Sequence, residues 1–390
     1  MYYSHTSRCM LTLPPLSLYI HFPWCIRKCP YCDFNSHTLL SELPEKNYIN
    51  ALIADLEQDL EKLPDRPITS IFMGGGTPSL FSPDTLNYLL VALAKRLKFS
   101  DVIEITLEAN PGTVEYQRFY AYREAGINRL SLGIQSFSTE KLKRLGRIHD
   151  GDEAIQAVIA AKKAGFTNIN LDLMHGLPEQ SIMEGLKDLQ IAFSLEPTHI
   201  SWYQLTIEPN TEFYQRPPQL PLEETMGELQ ERGEEIFSQK AYEHYEISAF
   251  SKEGYHCNHN RNYWQFGDYI GIGAGAHSKL TDNKKMTIKR AWKQKNPKTY
   301  LSQKNHFLAE EKFILAKELP FEFMLNALRL FQKIPAELFQ QRTGLSFSSI
   351  QPILHKAKQQ GLLTYDTFAM ETTEFGKRFY NNLLAMFMSD

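Results

Sequence analysis

The chain has 390 residues, with 42 Lys or Arg against 45 Asp or Glu and a formal net charge of -3. That length allows two or three domains, or one large barrel with an appendage. A balanced charge excludes a surface basic all over, and 43% hydrophobic with 22% charged residues excludes a disordered chain.

No run reaches the roughly 18 apolar residues of a membrane span. Tyr2, Tyr3, His5 and Arg8 stand at the N-terminus in place of a continuous apolar signal. A cytoplasmic protein is expected. Five unevenly placed cysteines do not make a disulfide scaffold, and in a reducing compartment a tight cluster of three suggests metal or redox chemistry.

Up to about residue 247, short β-rich runs alternate with amphipathic helical stretches, the pattern of repeated βα units. The strands are expected at 18–22, 70–73, 102–108, 129–133, 168–173 and 199–205, with a weaker one at 244–249. Helical patterns cover 48–62, 84–97, 152–164 and 183–194. In parallel βα barrels the chemistry sits where strands end. Here those ends deliver Cys25, the run from Gly74 to Pro78, the run from Glu108 to Pro111, Gln135, Asp172 and Gln204.

Past Gly271 the alternation stops, and residues 281–304 carry eight Lys or Arg against one Asp. A basic, irregular linker is expected over 281–319, solvated by default but able to meet anionic groups or a membrane surface. Three helical stretches, a hairpin and a last helix then fill 320–390, the order of a small winged-helix domain. Its apparent recognition helix offers His355, Lys356 and Lys358 but no arginine. A lid or docking role is therefore expected, with no nucleic-acid partner.

Cys25, Cys29 and Cys32 form C-x3-C-x2-C directly after the first strand, in YIHFPWCIRKCPYCDF. Three thiolates on one loop suit a cubane iron–sulfur cluster with one iron lacking a protein ligand. Such an iron can chelate a ligand through amine and carboxylate groups. A zinc site completed by His21, Asp33 or His37 is the bland alternative. Cys9 and Cys257 lie apart and are expected not to ligate.

This loop resembles that of the radical S-adenosylmethionine (SAM) superfamily, which places it after the first strand of a partial (β/α)6 barrel. The resemblance implies an α/β fold, a [4Fe-4S] cluster on Cys25, Cys29 and Cys32, and SAM on the vacant iron. In that family an electron from the cluster breaks the sulfonium C–S bond. It further implies that Tyr31 backs the adenine and that Tyr19 supports the site from its strand.

Gly75 and Gly76, with Thr77, end the second strand, where glycine permits close backbone approach or positive φ. They are expected near the methionyl group. Glu108, Gln135, Arg147 and Asp172 stand at or beyond later strand ends. Their positions match SAM contacts of the family, where ribose hydroxyls and a carboxylate need acceptors and a cation.

The similarity extends through EANPGT at 108–113, GIQSF at 133–137, LKRLGRIH at 142–149 and NLDLMHGLP at 170–178. These runs are similar to those of the oxygen-independent coproporphyrinogen III oxidase family, including the C-terminal domain its members share. Two branches of that family compete: radical oxidases that decarboxylate a porphyrinogen, and HemW-type heme chaperones that hand heme to acceptor hemoproteins. Phe34 occupies the position of the oxidases' fourth cysteine, and the cluster loop begins near residue 19, where the oxidases carry a longer N-terminal extension; both features lead to the expectation of the chaperone branch.

His259, Asn260, Tyr263 and Trp264 match the HNxxYW of the chaperones. An imidazole can ligate heme iron and aromatics can pack on a porphyrin. His259 is therefore expected at the heme, with His256 and Cys257 as lesser candidates and a hydrogen-bonded structural histidine as the alternative. The chaperone branch implies heme and acceptor hemoproteins as partners, possible acceptors including membrane-associated respiratory enzymes. A radical SAM RNA-modifying enzyme is the third reading.

Overall fold

The computed structural model describes residues 10–388 apart from 62, 64, 304 and 305, and without the side chains of 113–117. Cys9 and the rest of 1–9 lie outside the described residues. The six expected strands are present as Leu16–Phe22, Ile68–Gly75, Phe99–Ala109, Arg129–Gln135, Asn168–His175 and His199–Gln204. Each pairs in parallel with the next. The intervening helices start where the side chains allow it. Asp150 with Glu153, and Ser181 with Glu184, form capping boxes, which satisfy backbone N–H groups that a helix start leaves open.

Burial follows the same logic. The parallel strands read as near-continuous apolar runs because both faces are covered; Leu18, Ile20, Ile71, Leu107, Leu130, Leu171 and Ile200 are fully or almost fully buried. Together with helix faces such as Leu52, Leu89 and Leu189 they make one large core. A second core belongs to the C-terminal part and takes in Leu11, Phe266 and Ile288 from elsewhere.

Two expectations are corrected. The weaker strand at 244–249 is a hairpin of Glu243–Glu246 and Ala249–Ser251, antiparallel to its neighbour and to each other at one end of the sheet. The stretch expected as a basic irregular linker is ordered: Asp268–Ile272 pairs in parallel with Leu16–Phe22, and His277–Asp282, Thr287–Lys293 and Leu308–Phe313 continue as an antiparallel meander. The sheet therefore has 12 strands. Three of its basic residues are held by acids elsewhere in the chain. Lys293 pairs with Asp55 and Asp59, Lys289 with Glu311 and Arg290 with Glu322, so the charge run is a strand whose partners lie far away in the chain.

The C-terminal part has helices Leu319–Ala327, Ala336–Thr343 and Gln351–Gln359, and a three-stranded antiparallel sheet of Ile334–Pro335, Ala369–Thr372 and Leu363–Tyr365. This is the expected helix, helix, helix, hairpin order. The final helix is two short ones, Glu374–Arg378 and Tyr380–Ala385. Among the described residues no helix is long and apolar enough to cross a membrane.

Candidate functional site

The first strand hands the chain to the cysteine loop. Trp24–Cys25 pairs with His37–Thr38, so the loop between them closes on itself; Leu39 N–H donates to the Cys25 carbonyl at 2.9 Å and Cys32 N–H to that of Cys29 at 3.1 Å. Lys28 Nζ donates to the carbonyls of Phe34 and Ser36, 3.1 Å each. Cys25 is buried, and Cys29 and Cys32 are half-buried.

All three cysteines line a single cavity of about 420 Å³. Its wall also carries Tyr31, Gly75, Gly76, Thr77 and Glu108. Gln135, Arg147, Asp172 and Gln204 complete the same wall. A cubane places each thiolate on a different iron, which three thiols spread around one loop allow. When bound, cluster and SAM would supply one-electron chemistry, held by Cys25, Cys29 and Cys32.

The glycines have a further role. Gly76 N–H donates to the Phe22 carbonyl and Thr77 N–H to that of Trp24, both at 2.7 Å. A Cβ on Gly76 would lie 2.3 Å from the Trp24 oxygen, and Gly75 has φ +112° with the His21 ring 2.4 Å from where its Cβ would be. The run is thus required by the approach of the cysteine loop itself.

Arg147 is the cation on the strand side of the site, opposite Arg27 and Lys28 of the loop. Its guanidinium donates to Asn110 Oδ1 at 2.5 Å, to the Gly133 carbonyl at 2.7 Å and to Cys29 Sγ at 3.7 Å. Asn110 Nδ2 in turn donates to Thr77 Oγ1 at 2.9 Å. This chain of contacts ties the cysteine loop to the ends of three strands. Asn110 lies in the strand-end run from Glu108 to Pro111; the part it plays here, between Arg147 and Thr77, is visible only in three dimensions.

Gln135 has φ 67°, an uncommon conformation for a residue other than glycine and one that gathers at functional sites. Its Oε1 accepts from Tyr203 Oη at 2.9 Å. Asp172 accepts from Ser131 Oγ at 3.0 Å and from Asn170 Nδ2 at 2.8 Å, while burial pushes its carboxyl up. Burial first, then the Asp172 charge, pushes Glu108 up to about 8, although Gly75 N–H donates to its Oε2 at 3.1 Å.

The sign of the Glu108 effect on stability is fixed by linkage. The folded state holds a proton that the unfolded carboxyl, at 4.5, releases. Stability from this group is therefore full below that value and is lost as pH rises through about 8. Glu108→Gln keeps an acceptor for Gly75 and removes the charge, so the ligand-free variant should melt several degrees above the wild type at pH 9. At pH 5 the two should melt together. Equal melting at pH 9, read by circular dichroism, would refute the buried-carboxyl account.

Two sequence expectations land elsewhere. Tyr19 does not line the cysteine cavity. Its hydroxyl lies 3.1 Å from His21 Nδ1, and its ring faces a second cavity that shares Phe34, Gly75 and Glu108 with the first. His259, expected at heme, is 1% exposed, with Nδ1 3.0 Å from Ser70 Oγ and Nε2 2.9 Å from Tyr263 Oη. Both ring nitrogens are engaged, and burial drives its pKa down to about 3. This is the hydrogen-bonded alternative. The lesser candidates are also engaged: His256 Nε2 is 2.9 Å from Glu243 and Cys257 Sγ 3.7 Å from Glu104.

The motif instead builds a helix, Asn258–Trp264. Glu104 accepts from the N–H groups of Asn258 and His259, 3.1 Å each, filling the role of an N-cap. His259→Ala should then act on stability, since it opens a cavity and removes the hydrogen-bond partner of Tyr263, while Ser70 keeps its bond to Ser17. A loss of about 2–4 kcal/mol in denaturant unfolding is expected; a loss under about 0.5 kcal/mol would contradict the buried strut.

Residues 19–189 match the Radical SAM superfamily and residues 314–377 the HemN C-terminal domain. The chain is 51% identical over 385 residues to the heme chaperone HemW of Haemophilus influenzae, covering 98% of this chain and 100% of that one. To the heme chaperone HemW of Escherichia coli it is 49% identical over 383 residues, with coverage of 98% and 100%. A solved structure, the coproporphyrinogen III oxidase HemN of Escherichia coli, superposes with a TM-score of 0.82 over 98% of this chain and 92% of that one. At 22% identity that likeness establishes the shared radical SAM fold.

Proposed function

The chain belongs to the heme chaperone HemW family of the radical SAM superfamily, and from that premise we propose that it binds heme and delivers it to acceptor hemoproteins. The observation that carries the reading is the near-full-length similarity to two heme chaperones, which spans the barrel and the C-terminal part alike. Phe34 supports it. The ring is 59% exposed and stands between the two cavities, where the oxidase pattern has a thiol.

On this reading Cys25, Cys29 and Cys32 hold the [4Fe-4S] cluster, and Gly75, Gly76, Thr77, Glu108, Gln135, Arg147 and Asp172 surround SAM with Tyr31 at the adenine. A reducing, cytoplasmic setting keeps the thiols available. Membrane-associated respiratory enzymes are the proposed class of acceptors.

The test is a paired incubation of anaerobically reconstituted protein. With heme, a bound Soret spectrum and transfer to an apo-hemoprotein are expected; with coproporphyrinogen III, SAM and a working reductant, no catalytic turnover is expected. Turnover at a catalytic rate would replace the chaperone reading by the oxidase one.

A further inference from the structure

The second cavity has a volume of about 590 Å³, within the roughly 300–1,000 Å³ of ligand sites. It forms where the barrel sheet continues into the antiparallel meander. Strand alternation places its wall. His277 is opposite Trp292 and Lys279 opposite Arg290, and Tyr269 is opposite Lys279. Ser17 lies beside Tyr269, and Tyr19 beside Gly271. Side chains that alternate along paired strands share a face, so the face bearing Tyr19 in the barrel runs on to His277 and Trp292.

His277 is unlike the other histidines near this region. It is exposed at the strand start, and its ring lies parallel to Trp292, with centroids 6.0 Å apart and planes at 24°. Among the described residues neither of its ring nitrogens has a hydrogen-bond partner, in contrast to His21 and His259. Partial desolvation and the charges of Arg290 and Lys295 lower its pKa.

The cavity also holds an unpaired cation. Lys295 is exposed and has no ion pair among the described residues. Arg290 lines the same wall, held there by Glu322 at 2.6 Å and Tyr269 at 3.1 Å. A flat, apolar ring system with two carboxylates and a metal seeking an axial nitrogen matches this combination of aromatic wall, free imidazole and cations.

We infer that heme binds in this second cavity with His277 as an axial ligand, Trp292 against the porphyrin and Lys295 beside a propionate. The inference rests on the chaperone reading and adds the site to it. It also puts the cargo next to the cluster and SAM cavity, across Phe34, Gly75 and Glu108.

The experiment titrates heme into reconstituted wild type, His277→Ala, His277→Cys, Trp292→Ala and His259→Phe, reading the Soret band and, in parallel, cluster absorbance and circular dichroism. His277→Ala should weaken binding about tenfold or more, a cost near 1.4 kcal/mol, with cluster and fold intact. His277→Cys should move the Soret band toward that of a thiolate-ligated heme, a shift that loss of packing alone would not give. Trp292→Ala should weaken binding without moving the band. His259→Phe should keep the wild-type band. If wild type binds heme and His277→Ala binds it with the same affinity and spectrum, the site is wrong while the chaperone reading stands; if folded wild type binds no heme, both fail.

Discussion

Alanine in place of Cys25, Cys29 or Cys32 is expected to abolish the visible iron–sulfur absorbance after reconstitution and to collapse iron content, whereas Cys257→Ala leaves both unchanged. The first three thiols share one cavity wall; Cys257 is fully buried elsewhere, with burial pushing its thiol up to about 12. Burial, then the neighbouring Cys32 and Cys29, pushes Cys25 up to about 11. Iron therefore has to displace a proton from a thiol that resists losing one. A loop with two thiolates left cannot hold three irons of a cubane. SAM affinity should drop along with the cluster in each of these variants. The same loss in Cys257→Ala would discard this ligand set.

The cysteine loop and the six strand ends were legible because their signals are local: a spacing, a run of glycines, a polar residue closing an apolar run. What the sequence hid depends on partners far along the chain. Asp268–Ile272 is a short apolar run whose place is fixed by pairing with a strand some 250 residues earlier. The lysines and the arginine of Thr287–Lys293 read as solvated surface until Asp55, Asp59, Glu311 and Glu322 come to meet them.

His259 shows the same limit in a motif. HNxxYW says nothing of which way the ring points. Glu104, from a strand about 150 residues away, starts the helix and thereby turns the imidazole inward to Ser70. His277 carried no motif signal at all; among the described residues, its ring nitrogens lack the hydrogen-bond partners of His21 and His259, a difference visible only in three dimensions.

Gly76→Val is expected to cost the cluster as well as SAM. If the glycine were needed solely to leave room for a ligand, a side chain there would block SAM and spare the iron. The backbone argues otherwise. The Cβ would sit 2.3 Å from the Trp24 oxygen and 2.9 Å from that of Phe22, both backbone atoms of the segment that leads into Cys25. Neither can retreat alone, because the Phe22 carbonyl is bonded to Gly76 N–H and the Trp24 carbonyl to Thr77 N–H. Relief therefore pulls the loop away from the second strand, breaks both bonds and moves Cys25 relative to Cys29 and Cys32. Overpacking of this kind costs about 1–3 kcal/mol, with the two lost hydrogen bonds adding about 1 kcal/mol each. Reconstitution should yield little cluster absorbance, and the unfolding midpoint should fall. A variant that keeps the full cluster spectrum and loses SAM alone would return Gly76 to the role of a ligand cradle.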